Sequence, residues 1–178
     1  MKYLVLALTF LFLSCNNQSK SVEDELYDCM LNALSDLEEE KFEQIVVKFE
    51  QYLIEKGALN SVSAEGYWNL YKKIAETGSY KYPNDFNLSE KISFLDRENI
   101  EDNFELIECQ DAIMQSEKYL NSKQYKLKQE LIALRKHQVT QMMIAQTIIE
   151  NLSIEDFESE YNRLWTLMYI EETYSKSK

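Results

Sequence analysis

The sequence predicts an all-α fold, a single compact domain of about five to seven antiparallel helices. Three glycines and one proline occur in 178 residues, and long helices contain few of either because both interrupt them. Hydrophobic residues make up 45% of the chain and aromatic residues 12%, a composition that indicates a folded core rather than disorder. Apolar residues also recur at three- and four-residue steps, which is the spacing of one helical face.

The clearest helical stripe of apolar residues lies in residues 22–56. Gly57 follows directly and is a natural C-terminal stop. Ser35 and Glu38 have the spacing of a capping box, in which each side chain bonds a backbone N–H at the start of a helix. The segment is therefore open to a kink or a break at Ser35.

The remaining helices are predicted from the same spacing and from glycine and serine boundary signals. They span about 62–77, a short piece within 88–95, 100–120, 122–136, 139–152 and a last helix that starts at Ser153. The segment LWTLMYI of the last helix is apolar nearly all round, so this helix is expected to be central and buried. Short connections between the helices favour antiparallel neighbours.

The chain begins with MKYLVLALTFLFLSCNNQSKS, an apolar stretch followed by an abruptly polar one. Lys2 precedes eleven uncharged residues, which are too few for a membrane-spanning helix of about 20 residues. The length fits the apolar region of a secretory signal, which is removed from the mature protein. The predicted organisation is therefore a cleaved signal peptide in 1–14, a short polar linker in 15–21 and the helical domain in 22–178.

Ser14 and Cys15 directly follow the apolar stretch. Over residues 1–15 the pattern resembles the lipobox of bacterial lipoproteins, although Phe12 and Leu13 depart from its strict form. The resemblance implies cleavage before Cys15, a diacylglycerol thioether on its sulfur and acylation of its new amino group. Two or more acyl chains anchor a protein stably, whereas one binds a membrane only marginally. The alternative is an ordinary secretory signal with a chance cysteine.

The charge balance excludes one class of partner. The chain has 19 basic and 31 acidic residues, a net charge of −12, and the loss of Lys2 with the signal makes the mature part −13. Such a chain is expected to be repelled by nucleic-acid phosphates and by anionic lipid headgroups. Nucleic-acid binding is therefore not expected. The acyl chains, rather than a basic face, are expected to hold the protein on its membrane, within the reach of about 20 Å of an extended linker.

Two other cysteines, Cys29 and Cys109, each have apolar neighbours at helical spacing. Both are therefore expected to face inward. An exported protein can oxidise such a pair to a disulfide, and two inert buried thiols are the alternative. The sequence leaves both open, because pairing requires Cα atoms within about 7 Å of each other.

The single histidine, His137, lies near Met142 and Met143. A copper site uses such soft ligands, but methionines at helical spacing are more often core residues. A serine or cysteine hydrolase would also need this histidine, and no glycine-framed nucleophile accompanies it. No cofactor and no metal site are therefore predicted.

Aromatic residues are concentrated in the segment 67–86. Tyr67, Trp68 and Tyr71 in this segment are candidates for a groove that binds a sugar or a peptide. The alternative is core packing, because Tyr67, Tyr71 and Ile74 share one helical stripe.

Charge is distributed unevenly along the chain. Residues 22–50 and 84–117 each carry a net charge of −8, whereas residues 118–136 carry +5. Either the basic helix packs between the acidic ones and partly neutralises them, or the surface is bipolar and orients a protein partner. Both alternatives allow an acidic face to meet a basic partner.

The leading functional hypothesis is a non-enzymatic, membrane-anchored envelope lipoprotein that serves as a periplasmic accessory or protein-binding subunit. The lipobox-like start, the acidic helical domain and the lack of a recognisable catalytic set support it. The resemblance further implies an outer-membrane protein that faces the periplasm, because Asn16 is not the aspartate associated with inner-membrane retention. The alternatives are a ligand-binding lipoprotein with an aromatic groove and a hydrolase that uses His137.

Overall fold

The computed structural model describes residues 20–78, 85–93, 103–134 and 139–175. These residues form helices and connecting turns without a strand, so the prediction of an all-α domain is confirmed. The helices in chain order are α1 (Val22–Asn32), α2 (Asp36–Glu55), α3 (Ala64–Thr77), α4 (Leu88–Lys91), α5 (Asn103–Gln115), α6 (Glu117–Leu120), α7 (Lys123–Leu134), α8 (Gln141–Asn151), a 3₁₀ helix (Ile154–Glu158) and α9 (Glu160–Ser175).

The predicted long helix of residues 22–56 is two helices, α1 and α2, in the structure. The backbone N–H of Ser35 donates to Oε2 of Glu38 at 3.0 Å, and the Ser35 hydroxyl donates to the same oxygen at 2.8 Å. Because these bonds satisfy polar groups that a continuous helix would use elsewhere, they favour a new start at this point. The break lies where the capping-box spacing places it.

Two further breaks divide helices that the sequence analysis treats as continuous. Ser116 separates α5 from α6, and its Oγ accepts a hydrogen bond from the N–H of Tyr119 at 3.1 Å. The last predicted helix begins as a 3₁₀ helix and restarts as α9 after Ser159, whose backbone is extended. A serine side chain that bonds backbone N–H groups competes with the hydrogen bonds of a continuous helix, which favours a break at such a serine.

The core is built around α3, which packs along α8, the 3₁₀ helix and α9. Its largest fully buried side chains are Phe42, Phe49, Leu53, Leu59, Tyr67, Tyr71, Ile74, Leu88, Ile148, Phe157 and Leu167. The last helix contributes to this core, but it is less completely buried than its apolar segment predicts. Leu167 of α9 is fully buried, but its neighbour Met168 is 45% exposed, so α9 buries one face and leaves another in solvent.

Helix α1 connects the N-terminal end of the described chain to two distant parts of it. It packs against α5 and against α9. Val22 and Leu26 of α1 share a small buried cluster with Tyr119 of α6, and Tyr125 and Tyr161 pack against that cluster. The α1 end of the domain is therefore held by contacts with α5, α6, α7 and α9.

Candidate functional site

The first described residues form a fixed start to the domain. The Ser21 Oγ accepts a hydrogen bond from the N–H of Asp24 at 3.0 Å, and the Ser21 N–H donates to Oδ2 of Asp24 at 3.2 Å. This reciprocal pair caps α1. Cys15, the predicted lipidation residue, lies outside the described residues, five positions before Lys20.

This start is attached to α6. The ammonium of Lys118 donates to the backbone carbonyl of Lys20 and, at 2.6 Å, to Oε1 of Glu25. Val22 and Tyr119 are buried together beside these bonds. The point at which the chain enters the domain is therefore next to α6 and the beginning of α7.

A disulfide joins Cys29 of α1 to Cys109 of α5, with 5.9 Å between the two Cα atoms. Cys29 is 3% exposed and is buried with Leu106, as expected from its apolar neighbours. Cys109 is exposed, so the expectation that both cysteines face inward is wrong for this one. Cys109 shares the face of α5 that carries Leu106 and Ile113, and it meets Cys29 at the exposed edge of the contact between α1 and α5.

The three aromatic candidates for a ligand groove have different surroundings. Tyr67 and Tyr71 are 0% exposed and belong to the main core. Trp68 is half-buried, with its ring 6.1 Å from that of Phe157 in an edge-on arrangement. These positions favour core packing for Tyr67 and Tyr71, and of the three residues they leave only Trp68 partly accessible to solvent.

A buried polar pair joins α2 to α3. The hydroxyl of Tyr67 donates to Oε1 of Glu50 at 2.5 Å, and Glu50 is itself buried. Burial is the main cause that raises the pKa of Tyr67 above its ordinary value, and the hydrogen bond to Glu50 and the carboxylate charge add to it. The positive charge of Arg163 opposes this rise, so the guanidinium is part of the same polar environment.

A second buried tyrosine lies one helical turn further along α3. Among the described residues, the hydroxyl of Tyr71 has no hydrogen-bond partner of good geometry. Its polar neighbour Thr166 instead donates to the carbonyl of Asn162 at 2.8 Å. Burial raises the pKa of Tyr71, and the Thr166 hydroxyl offsets only part of that rise.

A polar network connects α7, the 3₁₀ helix and α9. Gln124 donates to Oδ1 of Asn162 at 2.7 Å, and Asn162 donates to the carbonyl of Asp156 at 2.7 Å. The carboxylate of Asp156 accepts from Lys123 and from the N–H of Ser153, both at 2.6 Å. Burial alone would raise the pKa of Asp156, but the bonds from Lys123 and Ser153 outweigh it and lower that pKa. The network therefore fixes the positions of α7, the 3₁₀ helix and α9 relative to one another.

The basic segment packs partly between the acidic helices, because α6 packs against α5 and Tyr119 and Tyr125 pack beside α1. Helix α7 lies along α8 and α6, while acidic α1 packs against α5 and α9. The ammonium of Lys118 in the basic segment and the carboxylate of Glu25 in acidic α1 form an ion pair of 2.6 Å. Lys126 and Lys128 remain exposed on α7, so the positive charge of this helix is partly available at the surface.

The catalytic and metal-binding alternatives have no described residues to support them. No group of three or more His, Cys, Asp or Glu side chains within 20–78, 85–93, 103–134 and 139–175 has an arrangement that could hold a metal ion. His137 lies outside these ranges. The hydrolase alternative therefore stays a prediction from the sequence.

The buried polar residues Glu50, Gln124 and Asn162 were not predicted. Each lies in a helix whose sequence shows it as one polar residue among many, and its buried side-chain partner belongs to another helix. Glu50 and Tyr67 are 17 residues apart, and Gln124 and Asn162 are 38 apart. The one available signal was the apolar neighbour on the same face, such as Phe49 and Leu53 beside Glu50.

No helix in the described part of the chain is both long and apolar enough to span a bilayer. No family model, no curated protein and no solved structure matches this chain. The residues of the chain itself are therefore the basis for a functional assignment.

Proposed function

We propose that this chain is a membrane-anchored envelope lipoprotein whose helical domain is a non-enzymatic, protein-binding accessory subunit. The observation that carries the proposal is FLSC, in which Cys15 follows a small residue at the end of an uncharged stretch of eleven residues. Acylation of Cys15 would hold the domain at a membrane of the bacterial envelope. The proposed location is the outer membrane, with the domain in the periplasm.

Two structural features support an exported, anchored protein. The described fold starts at Lys20 and Ser21, so few residues separate Cys15 from the domain. The disulfide between Cys29 and Cys109 is of the kind that persists in oxidising compartments outside the cytoplasm. Both features agree with a domain that works close to a membrane surface after export.

The protein-binding part of the proposal is supported by α2, the longest helix of the described chain. Leu37, Val47 and Ile54 are 79%, 50% and 39% exposed on it. Glu40 and Glu43 are exposed on the same helix. Carboxylates of this kind steer association with a basic partner, and exposed apolar side chains supply area that a partner can bury. The partner that fits is a protein with a basic surface.

Anchoring is tested by expressing the full chain in a bacterial host supplied with an alkyne-tagged fatty acid. We expect the label and membrane retention in the parent chain and their loss in Cys15→Ser. The matched control is Cys29→Ser/Cys109→Ser, which also replaces cysteines and keeps the label. Label that persists in Cys15→Ser would overturn the lipid-anchor proposal.

Partner binding is tested in the same cells with a photo-cross-linking amino acid at Val47 and, as a control, at Lys73 on α3. We expect a discrete cross-linked envelope protein from position 47 and none from position 73. Glu40→Lys/Glu43→Lys should abolish that product, because the charge reversal repels a basic partner. The matched variant Glu76→Lys/Glu150→Lys, also at exposed positions, should preserve it. Equal products from all chains would contradict a binding surface on α2.

A further inference from the structure

Helix α7 has an outward face with basic edges and an uncharged centre. Gln124 and Leu127 are buried on its inner side. At 100° per residue, the opposite side is centred near Gln129, and Lys126 and Lys128 are exposed on its two edges. The centre of this outward face is formed by Gln129, Ile132 and Ala133, and Tyr125 lies where the face meets the cluster of α1 and α6. Lysines that flank an uncharged, partly apolar strip are typical of a helix that lies on a membrane surface.

The charge on this face is available to a ligand. The ammonium of Lys126 lies 3.8 Å from the carboxylate of Glu130. An exposed ion pair of this kind offsets the charge of the lysine only weakly. Lys128 has no carboxylate partner among the described residues, and its ammonium lies 3.4 Å from the sulfur of Met114. Glu130 is half-buried and accepts a hydrogen bond from Asn151 at 2.5 Å, so its carboxylate is directed toward α8. Ile132, at the centre of the face, is 43% exposed.

The predicted tether leaves the domain beside this face. Lys118 of α6 binds the carbonyl of Lys20, and Tyr125 of α7 packs against the cluster that buries Val22. Four residues lie between Cys15 and Lys20, and the five Cα–Cα steps between them reach at most about 18 Å when extended. An acylated Cys15 would therefore keep the beginning of α7 within a short distance of the lipid headgroups.

We infer that the outward face of α7 rests on an anionic lipid surface and that it fixes the orientation of the domain on the membrane. The inference rests on the lipid anchor proposed for Cys15: the acyl chains supply the affinity, and Lys126 and Lys128 select the face that meets the phosphates. Ile132 then inserts among the headgroups.

The net charge of −13 of the mature part does not oppose this arrangement at contact distance, because salt screens charges beyond about 8 Å. Three of the four acidic residues of α1, all but Glu23, are already engaged. Glu25 is paired with Lys118 at 2.6 Å and Asp28 with Lys20 at 2.5 Å, and Asp24 caps the helix. The local field beside the tether is therefore less negative than the composition alone implies, while unpaired acids elsewhere repel the membrane and favour a single orientation.

The test uses the full chain, purified from bacterial membranes and placed in vesicles of phosphatidylcholine alone or of equal parts phosphatidylcholine and phosphatidylglycerol. A benzophenone amino acid replaces Ile132 on α7 or, as the control, Val47 on α2. Light then links each probe to whatever lies beside it, and mass spectrometry measures the lipid adduct. We expect adducts from position 132 in anionic vesicles and far fewer from position 47.

Charge variants identify the cause. Lys126→Gln/Lys128→Gln should lower the adduct from position 132 by about fivefold per lysine. The matched variant Lys72→Gln/Lys73→Gln on exposed positions of α3 should leave it unchanged. Equal adducts in neutral and anionic vesicles, or equal loss in both charge variants, would overturn the inference while leaving a lipid-anchored protein in place.

Failure of the anchor itself has a separate readout. The mass of the purified chain shows whether Cys15 is acylated, and an unmodified Cys15 would refute the proposed function. In that case a shortened chain of residues 15–178, which contains every described residue, is prepared. A maleimide phospholipid is coupled to its Cys15, and the same cross-linking is measured. Adducts from position 132 would then support the α7 surface on its own, and their absence would reject it.

Discussion

The hydroxyl of Tyr67 in α3 and the carboxylate of Glu50 in α2 form a buried hydrogen bond of 2.5 Å. Tyr67 has no exposed surface, so water cannot replace either partner easily. A carboxylate buried without a donor is unfavourable by several kcal/mol. This bond therefore ties the position of α2 to the central helix of the core.

Tyr67→Phe is expected to lower the free energy of unfolding by about 1–3 kcal/mol at neutral pH, because it leaves the buried carboxylate of Glu50 without its donor. Urea denaturation of the variant and the parent measures the change. The same substitution in a Glu50→Gln background should have a smaller effect, since a neutral amide tolerates the loss of a donor better. An equal effect in both backgrounds would assign the loss to packing and not to this bond.

Stability is expected to fall steeply above about pH 10. Burial raises the pKa of Tyr67 and Tyr71 above the ordinary value of 10.0, and it raises the pKa of Tyr161 to about 12. For a group whose pKa is higher in the folded state, the stabilisation is complete below the unfolded pKa and is lost as pH rises beyond it. Each buried tyrosine then contributes a slope of about 1.4 kcal/mol per pH unit.

Tyr71→Phe isolates one of these contributions. Its hydroxyl has no well-formed hydrogen bond among the described residues, so we expect little change in the free energy of unfolding at neutral pH. Above pH 10 the variant should lose stability less steeply than the parent, by about 1.4 kcal/mol per pH unit. Urea denaturation at a series of alkaline pH values measures both slopes, and identical slopes would contradict this role of Tyr71.

Gly66→Ala is expected to destabilise the domain although alanine is the better helix former. A Cβ at this position would lie 2.1 Å from the carbonyl oxygen of Ser61, so the turn before α3 would have to move. Overpacking of this kind lowers stability by about 1–3 kcal/mol. Gly57→Ala is the comparison, since nothing lies within 4 Å there and only the positive φ of 69° opposes a side chain. A smaller loss at Gly66 than at Gly57 in thermal unfolding would contradict the close approach.

Removal of the disulfide is expected to loosen α5 before the core. Cys29→Ala/Cys109→Ala opens a link across 80 residues, which corresponds to about 2–5 kcal/mol. Helix α5 packs mainly on α1 and α6, whereas α3 and α8 hold the main core. Hydrogen exchange should therefore show earlier loss of protection in α5 than in α3. Simultaneous loss in both helices would show that the disulfide stabilises the domain as a whole.

Local signals in the sequence predicted the features that depend on neighbouring residues. The break at Ser35 follows from its spacing to Glu38, and Gly78 ends α3 in the left-handed conformation that glycine adopts readily. Such signals act within one turn of helix. They can be recognised before any long-range contact is known.

Features that depend on distant residues were not predictable in the same way. The break at Ser116 has a local cap, but Tyr119, three positions later, is buried against Val22 of α1, which lies 97 positions earlier in the chain. The buried bond of Gln124 to Asn162 likewise needs α7 and α9 to be adjacent. A polar residue in an amphipathic helix has the same local pattern whether it faces solvent or a distant polar partner, and only tertiary packing distinguishes the two.

The contact of α1 with both α5 and α9 has a consequence for biogenesis. During synthesis or translocation the first helix emerges long before its partners, with Cys29 80 residues ahead of Cys109. The first helix can complete its packing only after α9, which ends at Ser175, has been released. Until then the buried face of α1, with Val22 and Leu26, lacks the cover that Tyr161 of α9 supplies, so the domain closes only late in its synthesis.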